Sequence, residues 1–162
     1  MFNPDIVPVS ALSAWTPTFE TAVRALKVVL ITTPVHNDEE IETAMIALGR
    51  EPGGGLVVPP DAFTVAHRLP IILAAARNNV PAVYHHSAFA RDGGLLSYGF
   101  DSVDTFRRAA SYVDRILRGT KPAELPVQLP TKFEMVVNRR IATALGLTIP
   151  PSILLRADEV IE

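Results

Sequence analysis

Helical patterns and short β-branched runs alternate through the first half of this sequence. Three of each follow one another in the order helix, strand, helix, strand, helix, strand: 16–26, 27–34, 38–49, 56–58, 65–78 and 81–84. Alternation with short links favours parallel strands, because a helix must carry the chain back before the next strand begins. The expected fold class is therefore α/β, a flavodoxin-like or Rossmann-like parallel sheet between two helical layers with right-handed crossovers.

Residues that begin or interrupt helices support this order. Thr16 can cap the first helix and Pro17 suits its first position. Asn37 precedes three acidic residues at the start of the second helix, where the helix dipole favours negative charge. Pro70 lies within the third helical pattern and predicts a kink or a late start there.

The second half continues with one long amphipathic helix. Ser102 is its predicted cap, the helix runs to about Arg118, and Gly119 ends it. Its apolar positions are expected to face inward: Val103, Phe106, Ala110, Val113 and Leu117. Strands are predicted before and after it at 95–98 and 133–137. A short helix at 139–145 and a terminal segment at 153–161 follow.

Two features predict that the chain is part of a larger fold. The opening Phe2-Asn3-Pro4-Asp5 has the composition of a turn that leaves a strand, yet no strand precedes it. The proline-containing stretch at 120–131 is long compared with the usual link of about four to six residues in a compact domain.

Composition excludes several functional classes. The chain has 162 residues, a net charge of −2 and no cysteine. These values exclude a disulfide scaffold, a cysteine nucleophile and a cysteine-based zinc site, and they show no basic stripe for nucleic acid. No apolar run reaches the roughly 18 residues of a membrane span, and no export signal is visible at the N-terminus.

Catalytic and metal motifs are also weak. Gly53-Gly54-Gly55 enters a strand, whereas a phosphate loop leaves one and is followed by Lys-Ser/Thr. No G-x-S-x-G nucleophile motif exists. His85 and His86 are neighbours at a strand end and are expected to point to opposite faces, which disfavours a shared metal. We therefore expect no cofactor, no metal and no enzymatic activity.

Polar and aromatic residues instead follow the predicted strands. Asn3, Asp61, Tyr84 and Tyr98 stand at or just after strand ends, and ligands of open α/β sheets bind outside the carboxyl ends of strands. An acid, an amide and aromatic rings suit a small solute with an ammonium group and an apolar part, such as an amino-acid-like compound. The alternative is structural: Asp61 caps the next helix and the tyrosines pack.

Three stretches carry a resemblance to a known family. They are 54–63 (GGLVVPPDAF), 94–119 with its GLLSYG and AASYVDRILRG segments, and 131–162, which contains TKFEMVVN, ALGLTIPP and RADEVIE. Together they resemble the C-terminal half of ABC-transporter substrate-binding proteins related to the tryptophan/tyrosine-binding group. The resemblance covers nearly the whole chain.

The resemblance implies a periplasmic, non-catalytic receptor of the type I binding-protein fold. Such a receptor closes a small molecule between two lobes and delivers it to an ABC permease. It implies that residues 1–85 and 126–162 form the second lobe. Residues 86–119 would be a strand and helix of the first lobe, and residues 120–125 a linker. The implied ligand residues are Asn3, Asp61 and Tyr84, with Tyr98 on the side of the other lobe.

The leading expectation is thus a truncated solute-binding component. Its amphipathic helix at 102–118 would lack the lobe on which it packs, so we expect a homo-oligomer. The alternative is a lone lobe acting as an interaction or regulatory module, which assembles with itself or with a separately encoded first lobe.

Overall fold

In a computed structural model that describes residues 1–6 and 9–162, with side chains from residue 17 onward in the second range, helices and strands follow the predicted order over residues 38–84. The α-helices are α1 Val9–Leu26, α2 Asp38–Gly49, α3 Ala62–Ala66, α4 Arg68–Arg77, α5 Ser87–Arg91, α6 Ser102–Leu117, α7 Arg139–Ala144 and α8 Pro151–Leu154. The strands are β1 Leu56–Val58, β2 Ala82–Tyr84, β3 Leu96–Phe100, β4 Phe133–Asn138 and β5 Glu159–Ile161. None of the described helices is long and apolar enough to cross a membrane.

The five strands form one sheet in the order β1-β2-β3-β4-β5. The pairs β1–β2, β2–β3 and β4–β5 are parallel, whereas β3 and β4 are antiparallel from Leu96 opposite Val137 to Phe100 opposite Phe133. The α/β class is confirmed, and the sheet is mixed instead of wholly parallel. The antiparallel pair arises because the long helix α6 and its extended link return the chain beside β3 in the opposite direction.

One face of the sheet carries the core. Leu56, Val58, Ala82 and Tyr84 alternate with exposed neighbours along β1 and β2, so their side chains lie on one face. They pack with apolar residues of the helices that cover this face: Ile41, Met45, Phe63, Ile71, Ile72 and Phe89. The opposite face is only partly covered, and Val57 and Val83 are exposed there.

The start of α2 follows the predicted capping chemistry. The Asn37 side chain accepts a hydrogen bond from the backbone N–H of Glu40, as a cap of α2 should. The third predicted helix is divided into α3 and α4 at His67. Pro70 is tolerated because it lies in the first turn of α4, where its missing N–H has no partner within the helix.

The strand predicted at residues 27–34 is wrong. These residues have no strand structure apart from a single parallel bridge between Phe2 and Pro34. Their apolar side chains are exposed, with Val29 86% accessible. A β-branched run becomes a strand only when a neighbouring strand pairs with it along its length. Here just its end meets the Met1–Asn3 segment, through hydrogen bonds from Phe2 N to Thr33 O (3.2 Å) and from Val35 N to Phe2 O (2.9 Å).

Other boundaries also differ from the prediction. Helix α1 begins at Val9 and contains Pro17, so Thr16 and Pro17 do not start it. Asp101, not Ser102, caps α6, and its side chain accepts from Asp104 N at 3.0 Å. β3 lies one to two residues beyond the predicted 95–98.

The inward orientation predicted for helix α6 is wrong. α6 has no buried residue, and Phe106 in the middle of its apolar stripe is 77% exposed. The extended link at 126–132 contacts a different side of the helix: Tyr112 donates to Pro126 O, and Arg108 donates to Gln128 and Thr131. The predicted apolar stripe exists, but no described element packs against it.

Two glycines allow β3 to lie close to the end of β2. A Cβ placed on Gly99 of β3 would lie 1.7 Å from the carbonyl oxygen of His85, and one on Gly94 would lie 2.5 Å from the Tyr84 ring. Both distances are far below van der Waals contact. The backbone of β3 can therefore lie against the end of β2 only when residue 99 has no side chain.

We expect Gly99→Ala to lower the free energy of unfolding by about 1–3 kcal/mol, the usual cost of overpacking a tight site. The added methyl would push β3 away from the His85 carbonyl. Gly55→Ala is the matched control, since its Cβ would meet Pro81 O at 3.4 Å and nothing closer. Urea unfolding followed by circular dichroism measures both variants. Equal stability of the two would contradict the close approach.

Candidate functional site

Asp61 joins three segments at the carboxyl ends of β1 and β2. Its Oδ2 accepts from the backbone N–H of Asn3 at 2.8 Å, and its Oδ1 accepts from that of Phe63 at 2.8 Å. The second bond makes Asp61 the cap of α3. The residue is 7% exposed and Asn3 is 5% exposed. Asn3 and Asp61, both predicted at the rim, are thus in direct contact, and the amide donor is the Asn3 backbone.

The Asn3 side chain shapes the turn beside this contact. Its Oδ1 accepts from Asp5 N at 2.8 Å, which is the turn chemistry that the Asn-Pro-Asp stretch indicates. Met1 lies between this turn and β1, where its amine donates to Val57 O at 3.2 Å. Burial lowers the pKa of that amine to about 6, and the charge of Asp61 opposes the shift.

His85 is a rim residue that the sequence prediction did not include. It directly follows β2, and its Nδ1 is buried with no hydrogen-bond partner among the described residues. Burial lowers the pKa of His85, while the Val58 carbonyl and the charge of Asp61 act in the opposite direction. The rule that found Asp61, a polar residue just after a parallel strand, would also have found His85.

The two predicted tyrosines do not join this rim. Tyr84 is buried and stacks on Phe89 with ring centroids 4.8 Å apart, and burial raises its phenol pKa above the usual value. It is a core residue. Tyr98 is 51% exposed and stacks on Phe133 at 5.8 Å, on the sheet face opposite Tyr84. Of the four predicted residues, only Asn3 and Asp61 are brought together.

His86 has a structural role beside the rim. Its Nδ1 accepts from Ala88 N at 3.2 Å and caps α5, and its Nε2 lies 3.1 Å from Ser102 Oγ at the start of α6. Because Nδ1 is the acceptor, Nε2 carries the proton and donates to the hydroxyl. Among the side chains of residues 1–6 and 17–162, no cluster of three or more histidines and acids has the arrangement of a metal site.

The comparisons with known proteins agree with this fold. The profile of a family described as ABC transporter substrate binding protein matches residues 16–161. The chain therefore belongs to the ABC transporter substrate-binding protein family. Among curated proteins, no sequence matches closely enough to be compared.

Solved structures with the same fold are about twice as long as this chain. A conserved domain protein from Vibrio cholerae O1 biovar El Tor matches with a TM-score of 0.84 and 22% identity, over 98% of this chain and 52% of its own. An ABC domain from Streptococcus pneumoniae in complex with L-Trp matches with a TM-score of 0.80 and 24% identity, over 93% and 52%. The ligand-free, open substrate-binding protein CD0873 from Clostridium difficile, which has adhesive properties, matches with a TM-score of 0.66 and 17% identity, over 99% and 52%.

We expect His85→Gln and His36→Gln to change the pH dependence of stability in opposite directions. His85 has a lowered pKa, so the protein loses stability as pH falls below the unfolded histidine pKa of about 6.5. Removing His85 should lessen that loss. Hydrogen bonding to Glu40 raises the pKa of His36, whose stabilising contribution is present below about 6.5 and is lost as pH rises through its folded pKa. Removing His36 should deepen the loss on acidification.

The measurement is urea unfolding at about pH 7.5 and about pH 5.5, on either side of the histidine range. The free energy of unfolding at acid pH minus that at neutral pH should be larger than wild type for His85→Gln and smaller for His36→Gln. A change of the same sign in both variants would contradict the assignment.

Proposed function

We propose that this chain binds a small solute as part of an ABC-type uptake receptor, without catalysing a reaction. Membership of the substrate-binding family supports a binding role, and the Asp61–Asn3 contact supports a position for it. That contact lies at the carboxyl ends of parallel strands, where open α/β sheets bind their ligands. In such a receptor the solute is released to a membrane permease after the protein has been exported.

The charge at the rim suits a solute with an ammonium group. A carboxylate accepts about four hydrogen bonds, and the two backbone N–H groups occupy two of these sites on Asp61. His85 adds a ring nitrogen within range of the Asp61 charge. An amino-acid-like solute would place its ammonium group at Asp61 and its apolar part beyond the rim.

We further propose that the described sheet supplies one wall of a cleft between two lobes. Residues 1–85 and 126–162 would form one lobe, residues 86–119 would belong to the other, and 120–125 would link them. The absence of buried residues in α6 supports this division, because the helix contributes nothing to the core around β1 and β2. The chain spans about half the length of the solved structures that it matches.

A second candidate function is an interaction module. The exposed apolar stripe of α6 favours it, since an exposed patch of several hundred Å² commonly marks a protein interface. In that case the lone lobe would assemble with itself or with a separately encoded partner lobe.

The binding proposal is tested with L-Trp and indole-3-propionate, which share a ring system but differ in the ammonium group. A ligand that binds only the folded state stabilises it by RT ln(1 + [L]/Kd). We expect a saturable rise in Tm with L-Trp or another free amino acid of a panel, and none with the matching amine-free acid.

Asp61→Asn should abolish most of that rise because it removes the charge while Oδ1 can still cap α3. Glu51→Gln, at an exposed acid outside the rim, is the matched control. If no amino acid of the panel changes Tm, or if Asp61→Asn responds as the control does, the proposed ammonium site is excluded.

A further inference from the structure

Helix α6 and the extended link that follows it form one unit. The helix has no buried residue along its length. Its middle bonds to the link instead, since Arg108 donates to Gln128 and Thr131, and Tyr112 donates to Pro126 O. This unit leaves the sheet at the end of β3 and returns to it at the start of β4.

The two points where the chain leaves and returns are held together by Asp101 and Lys132. The backbone N–H of Asp101 donates to Lys132 O at 3.0 Å, and Lys132 Nζ lies 2.7 Å from Asp101 Oδ2. The elements just before Asp101 pack with the sheet, because Phe89 of α5 is buried and β3 pairs with β2 and β4. Within the segment 86–119, the chain therefore separates from the core at Asp101.

One hydrogen bond connects this unit to the sheet outside these two points. His86, which directly follows the rim residue His85, donates from Nε2 to the Oγ of Ser102 at 3.1 Å. Its Nδ1 accepts from Ala88 N at 3.2 Å, which fixes the tautomer that this donation needs. Among the described side chains, no other hydrogen bond joins residues 102–131 to the rest of the chain, apart from those to the cap Asp101.

Glycine at position 99 brings His86 beside the start of α6. A Cβ on Gly99 would lie 1.7 Å from the carbonyl oxygen of His85, so the segment after β2 lies directly against the end of β3. Ser102 follows shortly after Gly99 and is the first residue of α6. The close approach that orders the sheet thus places the candidate rim one hydrogen bond away from this helix.

We propose that Asp101 and Lys132 form a hinge between the two lobes and that the His86–Ser102 hydrogen bond sets the angle of α6 about this hinge. This inference rests on the two-lobe division proposed above. A neutral hydrogen bond changes a two-state equilibrium by about two- to ten-fold, so this bond favours one orientation of the lobes without preventing the other. His86 is in this sense a positioning residue at the boundary between the candidate rim and the hinge.

The angle is measured with two nitroxide labels, because the chain has no cysteine that would compete for them. Ala47→Cys places one label at an exposed position of α2, and Arg115→Cys places the other at an exposed position of α6. Double electron–electron resonance on the labelled full chain gives the distribution of distances between the sheet and α6. With His86 and Ser102 both present, a single narrow population is expected.

Two variants remove the hydrogen bond from opposite ends. Ser102→Ala removes the hydroxyl, and His86→Asn removes Nε2 while the Asn oxygen can still cap α5. Each should broaden the distribution, and the double variant should be no broader than the singles because all three lose the same bond. Ser102→Thr restores a hydroxyl and should return the narrow population.

Ser111→Ala is the matched control, since Ser111 lies on α6 and its Oγ donates to Arg108 O of the same helix. It should leave the distribution unchanged. A broad distribution with the bond intact would overturn the proposal, as would a narrow one that neither Ser102→Ala nor His86→Asn alters. Equal broadening by Ser111→Ala would overturn it as well.

The measurement contains no solute, so its outcome is separate from the test of the ammonium site. A chain that shows the expected broadening but binds no amino acid contradicts the ammonium site and leaves the hinge in place. A chain that binds L-Trp while α6 is indifferent to Ser102→Ala and His86→Asn contradicts the hinge alone.

Discussion

The close packing of β3 on the end of β2 is the constraint on which the rest of the structure depends. Because Gly99 has no side chain, its backbone reaches the carbonyl of His85, and because Gly94 has none, the Tyr84 ring lies flat between this segment and Phe89. Parallel pairing of β2 with β3 joins the pair β1–β2 to the antiparallel pair β3–β4 in one sheet, and the two glycines leave room for that pairing. They also fix where β2 ends, and hence where His85 and His86 leave the sheet.

The carboxyl ends of β1 and β2 bring polar groups together. Asp61 leaves β1 and His85 leaves β2 at the same end of neighbouring parallel strands, and the Asn3 turn reaches them through one backbone hydrogen bond. The Asp61 carboxylate thus has a structural role, since it caps α3 and holds the first residues of the chain. Under the binding proposal, the carboxylate lone pairs that these two N–H groups leave free would accept from a ligand ammonium group. The capping interpretation and the binding interpretation of Asp61 are therefore compatible.

Sequence patterns predicted those elements whose stability is mainly local or is decided by burial on one face. The start of helix α2 was predicted correctly because Asn37 caps it, and the short strand β1 was predicted because an apolar run lies between the Gly53-Gly54-Gly55 turn and Pro59-Pro60. The strand expected at residues 27–34 fails for the opposite reason. A β-branched run is stable only beside a partner strand, and along most of its length none of the described residues supplies one. Tyr84 was mistaken for a rim residue because its position in the chain gives no indication of which face its ring occupies.

Helix α6 shows a second limit of prediction from sequence patterns. The spacing of its apolar residues was predicted correctly and indicates that this face is buried in a packed structure. Periodicity alone does not identify what the face packs against. The proposed division of the chain supplies one answer: residues 86–119 would belong to the other lobe of the cleft, and the stripe would pack inside that lobe. A helix whose partners lie outside the core around β1 and β2 has no buried residue there, whatever its periodicity.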